Sequence, residues 1–189
     1  MHSEYYQGII QLRNPNEQVS AFLEKALGTE ISKVKKVKNG FDYYIKDNKN
    51  ALKATIKARD RFGGEHKINR KLYSQDRQTS KNVYRMHILL RLPEFAKNDV
   101  IKFENNLIKI VGLGKKVTGL NIKTGKKKVF NYPEKFQLLE MHETQIIKIK
   151  PRIEILHPET YQSEPVMNKK NVKIGDKVKI VFEKGFYLV

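Results

Sequence analysis

Asn14-Pro15-Asn16-Glu17-Gln18-Val19-Ser20-Ala21-Phe22-Leu23-Glu24-Lys25-Ala26-Leu27-Gly28 carries the clearest helical signal in the chain. Val19, Phe22, Leu23, Ala26 and Leu27 recur at helical spacing and share one face. Asn14 is placed as the N-cap, Pro15 in the first turn where a missing N–H costs nothing, and Glu17 closes a capping box. Gly28 stops the helix. Such a stripe needs a sheet to bury it, and strand patterns flank it on both sides. Tyr5 through Leu12 read as a strand, and Asn39-Gly40 is a two-residue hairpin signal followed by alternating Phe41, Tyr43 and Ile45.

A second helix opens at Asp47 and stops at Gly63-Gly64, with Leu52, Thr55, Ile56, Arg59 and Phe62 forming a thinner buried face. A closing hairpin follows, its first strand over 65–73 and its second over 82–92. Along the second strand Tyr84, Met86, Ile88, Leu90 and Leu92 point one way while Arg85, His87 and Arg91 point the other, so one face is core and the other basic. Strand, helix, hairpin, helix, hairpin is the order of a small α+β sandwich over residues 1–92, with helices on one side of a largely antiparallel sheet.

After Leu92-Pro93 helical periodicity ends, and short strands alternate with Asn/Gly turns roughly every ten residues, the pattern of small β-barrels. Two are expected, an SH3-like barrel over 93–141 and an OB-like barrel over 142–189. An internal echo supports the pair. Asp99-Val100-Ile101-Lys102-Phe103-Glu104, a turn at Asn105-Asn106 and Leu107-Ile108 return near the end as Asp176 to Val178, Phe182-Glu183, a turn at Lys184-Gly185 and Phe186-Tyr187.

The chain has 38 Lys and Arg against 20 Asp and Glu, a formal net charge of +18 on 189 residues. Residues 1–92 hold 19 basic and 9 acidic side chains and residues 93–189 hold 19 and 11, so the excess belongs to the whole body and not to a basic tail. A surface that repels itself this strongly is normally kept for a polyanion, with nucleic acid the leading partner. A Lys-rich proteome explains the same bias. The absence of Cys excludes disulfides, cysteine nucleophiles and thiolate zinc sites, and is compatible with a reducing compartment. No apolar run is long enough to span a membrane, and Met1-His2-Ser3-Glu4-Tyr5-Tyr6 does not open a secretory signal. The abrupt ends suit an excised fragment as well as a complete chain.

The candidate contacts are cationic. Lys49, Lys53, Lys57 and Arg61 lie four apart and form one stripe on the second helix, able to track phosphates or simply to be solvated. Arg77 and Lys81 sit in the polar loop between the last two strands of the sandwich. Lys115 and Lys116 follow Gly112-Leu113-Gly114, and Lys123, Lys126, Lys127 and Lys128 surround Thr124-Gly125 at a hairpin tip, where like charges repel unless a polyanion neutralises them. Gly119 through Lys126 is no nucleotide-binding loop, because five residues separate the glycines and Lys127 replaces the required hydroxyl. His2, His66, His87, His142 and His157 show no ligand spacing, so no metal and no cofactor are expected. No nucleophile elbow or carboxylate pair stands out, so an enzyme is not expected. Tyr43-Tyr44 and Tyr84 are able to stack on bases, or to pack in the sheet.

Several stretches together resemble the archaeal branch of the NMD3 family, relatives of the nuclear-export adaptor of the large ribosomal subunit. They are Tyr5-Tyr6-Gln7-Gly8-Ile9-Ile10-Gln11-Leu12-Arg13, Phe62-Gly63-Gly64, Asp76-Arg77-Gln78-Thr79, Val83-Tyr84-Arg85, Leu90-Arg91-Leu92-Pro93-Glu94-Phe95 and Asp99-Val100. The resemblance implies a domain similar to ribosomal protein L twenty-two followed by a two-barrel region similar to translation factor five-A. It departs from the family in lacking the N-terminal zinc-binding region built on Cys pairs, and in ending at Val189 without a leucine-rich export tail, so nuclear export is not carried over. The lysine modified in factor five-A has no counterpart among the tip lysines.

The expected function is that of a non-enzymatic, monomeric, cytoplasmic factor that binds the large ribosomal subunit in biogenesis or quality control. Its Lys-rich loop tips would grip ribosomal RNA through phosphates. The alternative is a protein-interaction module that docks on ribosomal proteins or a release GTPase, with charge only steering encounter.

Overall fold

Asn16, not Asn14, caps the first helix. Its Oδ1 accepts the Val19 N–H at 2.9 Å, and α1 runs Glu17–Leu27. Asn14 is instead in the left-handed region (φ 50°) and donates its N–H to Asn39 O, so it belongs to the chain reversal after the first strand. The capping box is therefore not formed. Glu17 is the first helical residue and complements the N-terminal dipole by charge alone. Gly28 ends the helix as expected, at φ 47°.

The computed structural model describes residues 5–75, 77, 78, 80 and 82–189. The chain divides into two compact units, Met1–Glu94 with Leu113–Lys116, and Phe95–Gly112 with Val117–Val189. In the first, β1 (Gly8–Arg13), β2 (Ile31–Val37), β3 (Gly40–Ile45), β4 (Glu65–Gln75) and β5 (Asn82–Arg91) form one sheet in the order β2-β3-β1-β5-β4. Only the β1–β5 pairing is parallel. The β2–β3 loop is Lys38-Asn39, one residue earlier than expected, because Val37 pairs with Gly40. Gly40 is required there: at φ 149° its absent Cβ would lie 2.0 Å from Leu12 O on β1.

Val19, Leu23 and Leu27 of α1 pack with α2 (Asn48–Phe62) over Ile10, Leu12, Tyr43, Ile45, Ile88 and Leu90 of the sheet. Asp47 caps α2 by accepting the Asn50 N–H. The buried face of α2 differs from the expected one. Ala51, Ala54, Thr55 and Ala58 are buried, while Leu52, Ile56 and Phe62 are only partly so. Small side chains let the helix approach its neighbours closely, and the larger apolar residues fill the flanks. Arg59 lies at that flank, paired with Asp60.

Two histidines of this unit sit where burial disfavours their charged form. His66 Nε2 is buried with no hydrogen-bond partner among the described residues, and burial, then the nearby Arg59 charge, lowers its pKa below the ordinary value. Burial, then Lys71 and Arg85, does the same for His87. Both folded pKa values lie below the unfolded ones, so the native state holds these rings neutral. Their contribution is complete above about pH 6.5 and is lost as pH falls through the interval down to the folded values. The melting temperature of the first unit is expected to fall between about pH 7 and pH 5.5, and to fall less in a His66→Gln/His87→Gln variant. Identical pH profiles in the two proteins would refute it.

The second unit is almost wholly β. One sheet holds β6 (Val100–Phe103), β7 (Asn106–Gly112), β8 (Val117–Asn121), β9 (Lys127–Phe130) and β10 (Gln137–Leu139), ordered β10-β6-β7-β8-β9. The other holds β11 (Met141–Lys148), β12 (Glu154–Leu156), β13 (Ser163–Pro165), β14 (Lys177–Phe182) and β15 (Phe186–Leu188), ordered β13-β12-β11-β14-β15. Val100, Leu107 and Ile122 of the first share a core with Val181 and Tyr187 of the second.

The sequence echo is a repeated turn. Asp99 Oδ2 accepts the Ala96 N–H at 2.7 Å and Asp176 Oδ2 accepts the Lys173 N–H at 2.8 Å, each carboxylate capping three residues back. The residues just before them, Asn98 and Gly175, share a positive φ of 77° and 91°. The first hairpin turn falls at Glu104-Asn105, a residue earlier than expected, with both in the left-handed region that such a two-residue turn needs.

Candidate nucleic-acid interface

Asn121, at the end of β8, builds the lysine-rich tip. Its Oδ1 accepts the N–H groups of Lys123 (2.9 Å) and Thr124 (3.1 Å), and its Nδ2 donates to Asn106 Oδ1 at 2.9 Å. Its backbone closes the loop through Gly125 N–H to Asn121 O (2.8 Å) and Asn121 N–H to Lys126 O (2.9 Å). Gly125 supplies the left-handed residue, φ 70°. Lys123 and Lys126 thus ride on a fixed turn, Lys127 and Lys128 open β9, and residues 123–129 are all exposed.

The four are not equivalent. Lys123 Nζ is 3.5 Å from Glu183 Oε2 and lies over the Tyr187 ring, 5.2 Å from its centroid. Lys128 Nζ is 3.0 Å from Glu104 Oε2 and lies over Phe103. The hydrogen bond from Lys102, with Lys123 adding to it, holds the Glu183 carboxyl below the usual carboxylate range. Lys126 and Lys127 make no ion pair among the described residues. The repulsion expected at this tip is therefore half relieved by carboxylates of the same unit, and two ammonium groups remain for an outside anion. The acids could not be paired with the tip from sequence, since Glu183 is 60 residues from Lys123.

Lys115 and Lys116 are exposed in the loop between β7 and β8. Lys49, Lys53, Lys57 and Arg61 form the expected exposed stripe on α2. Arg61 is partly committed, its guanidinium lying 5.6 Å from the Phe22 centroid and 5.2 Å from that of Phe62, and it suits the helix C-terminus. The three lysines have no ion pair among the described residues. Arg77 lies exposed in the β4–β5 turn, and Lys81 falls outside the described residues. Tyr43 is fully buried and donates to Glu24 Oε1 at 3.3 Å, so it is a core residue, whereas Tyr84 is 46% exposed. Among the described residues no three His, Asp or Glu side chains cluster as a metal site, and no helix is long and apolar enough to cross a membrane.

Sequence reasoning missed Asn168. It is 9% exposed, its Nδ2 donates to Leu188 O (2.9 Å) and Ile122 O (3.3 Å), and its Oδ1 accepts the Leu188 N–H (2.8 Å). One amide thereby joins the base of the lysine tip to the last strand.

Residues 5–92 match the family model for NMD3, second domain. Among solved structures, eukaryotic translation initiation factor 5A from Methanococcus jannaschii is similar at 16% identity, over 51% of this chain and 87% of its own, with a TM-score of 0.37. That likeness is too distant to carry fold or function across. No curated protein matches the chain.

Proposed function

We propose, from the NMD3 relationship of residues 5–92, that this chain is a non-enzymatic factor of the large ribosomal subunit, acting in its biogenesis or quality control. In this reading the α+β unit is similar to ribosomal protein L twenty-two, and the two sheets of the second unit are SH3-like and OB-like barrels in the manner of translation factor five-A. The family match is the observation that carries the reading, and the net charge of +18 supports it, because ribosome surfaces are dense in phosphate. Lys126, on the fixed turn, and Lys127, at the start of β9, have no carboxylate partner among the described residues and are the best-placed phosphate ligands, with Lys115, Lys116 and the α2 lysines as further contacts. Contacts of this kind give affinity with little sequence readout. The factor works as a cytoplasmic monomer.

A second reading has one observation in its favour. The second unit exposes Met167 (62%) and Phe182 (58%) beside a groove lined also by His157, Pro165 and Phe186. An apolar groove suits docking on a ribosomal protein or a release GTPase, with charge steering the approach. Sedimentation with purified large subunits, small subunits and free ribosomal RNA tests both. The RNA reading expects selective association with large subunits that weakens steeply from 50 to 200 mM salt, on the order of tenfold or more for a few phosphate contacts. Salt-insensitive association would favour protein docking, and equal binding to all three targets would reduce the charge to nonspecific adhesion.

A further inference from the structure

β4 and β5 outrun the sheet that carries them. The pairing of β1 with β5 stops at Gly8–Met86, but β4 and β5 stay paired out to Gln75–Asn82, so beyond Met86 they form a two-stranded ribbon. The ribbon is held, not loose. The Arg85 guanidinium lies 4.1 Å from the Tyr6 centroid and 3.4 Å from that of Tyr73, and donates to Tyr6 Oη at 3.1 Å. Lys67 and Lys71 are exposed on the same side as Arg85. The other side presents the cross-strand pair Leu72–Tyr84, 62% and 46% exposed, next to Arg70.

Arg70, Asn82, Tyr84 and Gln7 line a groove of about 370 Å³ at the root of the ribbon. Asn48 Nδ2 donates to Tyr84 O and fixes its floor. Edge strands commonly carry lysine to prevent pairing with other chains, which accounts for Lys67 and Lys71. It does not account for an uncovered aromatic beside an arginine that makes no ion pair among the described residues.

We infer that this groove takes one unpaired nucleotide of a folded RNA, its base on the Tyr84 ring, its edge met by the Asn82 and Gln7 amides, and its phosphate by Arg70. Chemical complementarity selects the occupant: an exposed aromatic face, two amides and one guanidinium match the base and phosphate of a splayed-out nucleotide, the usual target of RNA recognition. A preformed groove lowers the ordering cost of binding. The inference rests on the RNA partner proposed above, but on a site separate from the lysine tip.

The test measures affinity of the full chain for two RNAs of equal length, one with a single-stranded internal loop and one fully paired. Tyr84→Ala is expected to weaken the looped RNA roughly 5- to 100-fold, the range of one base stack, and to leave the duplex unchanged. Tyr84→Phe keeps the stack and is expected to bind like the parent. Arg70→Ala is expected to weaken both RNAs and flatten the log-log salt slope by about 0.7 to 0.9. Equal effects of Tyr84→Ala on loop and duplex would overturn the inference, as would unchanged RNA binding with loss of binding to isolated ribosomal proteins, which would make the ribbon a protein contact. A Tyr84-dependent preference for loops in a chain that ignores large subunits would remove the proposed function and leave this site standing. Large-subunit binding indifferent to Tyr84 would do the reverse.

Discussion

Asn168→Ala is expected to destabilise the second unit by about 2–4 kcal/mol, since it leaves a buried N–H and buried carbonyls without partners, each at about 1–3 kcal/mol before relaxation. For a unit of this size that lowers the melting temperature by on the order of 10–20 °C. The amide's three hydrogen bonds reach Ile122, in the turn that follows β8 of one sheet, and Leu188, in β15 of the other. Their loss should therefore also weaken cooperativity between the sheets. Urea unfolding followed by circular dichroism measures both: a lower midpoint with a broader or split transition for the second unit is expected, while the first unit's transition stays put. A loss below about 0.5 kcal/mol, the range of an ordinary surface substitution, would mean that solvent replaces the amide and that the shared core of Val100, Leu107, Ile122, Val181 and Tyr187 alone joins the sheets.

The helices and hairpins of the first unit were legible because their signals are local. The apolar period of α1, the Asp47 cap and the Gly63-Gly64 stop of α2 all act within a few residues. The errors have a common cause, competition that local signals do not show. Asn14 has the side chain of a cap, but its backbone is taken by the contact with Asn39. α2 buries its alanines, not its leucine and isoleucine, because how close a helix comes to a sheet is a tertiary fact. In the second unit the Asp99 and Asp176 turns were legible as an echo because a carboxylate capping a turn needs the same few residues each time.

The candidate site was legible as a concentration of charge and illegible as a set of pairs. Lys123, Lys126, Lys127 and Lys128 are alike in sequence. The fold brings Glu104 and Glu183 to two of them through strand pairing and sheet packing that no short window encodes. Asn121 was the one local clue, an amide two and three residues before the N–H groups it caps. The ribbon escaped notice because its length depends on where β1 stops pairing, and that follows from the start of β1 at Gly8 and not from anything in β4 or β5.

Those pairs set the sharpest expectation for binding. Lys126→Ala/Lys127→Ala should leave stability within about 0.5 kcal/mol per substitution, because both side chains are exposed and make no ion pair among the described residues. Large-subunit affinity should nevertheless drop on the order of tenfold near physiological salt, with the log-log slope flatter by roughly one and a half to two units at about 0.7 to 0.9 per phosphate. Lys123→Ala/Lys128→Ala should flatten it less, since those ammonium groups already face carboxylates. Glu183→Gln should act in the opposite direction: it releases Lys102 and Lys123 from their shared acid and should tighten binding while steepening the slope. Lys35→Ala/Lys36→Ala/Lys38→Ala, on and beside the exposed strand β2 of the other unit, removes more charge and should cost less affinity if contact is localised. Equal losses from the tip pair and from this strand would show that diffuse charge carries binding. A Glu183→Gln variant that binds no better than the parent would show that the tip's internal ion pairs do not compete with RNA at all.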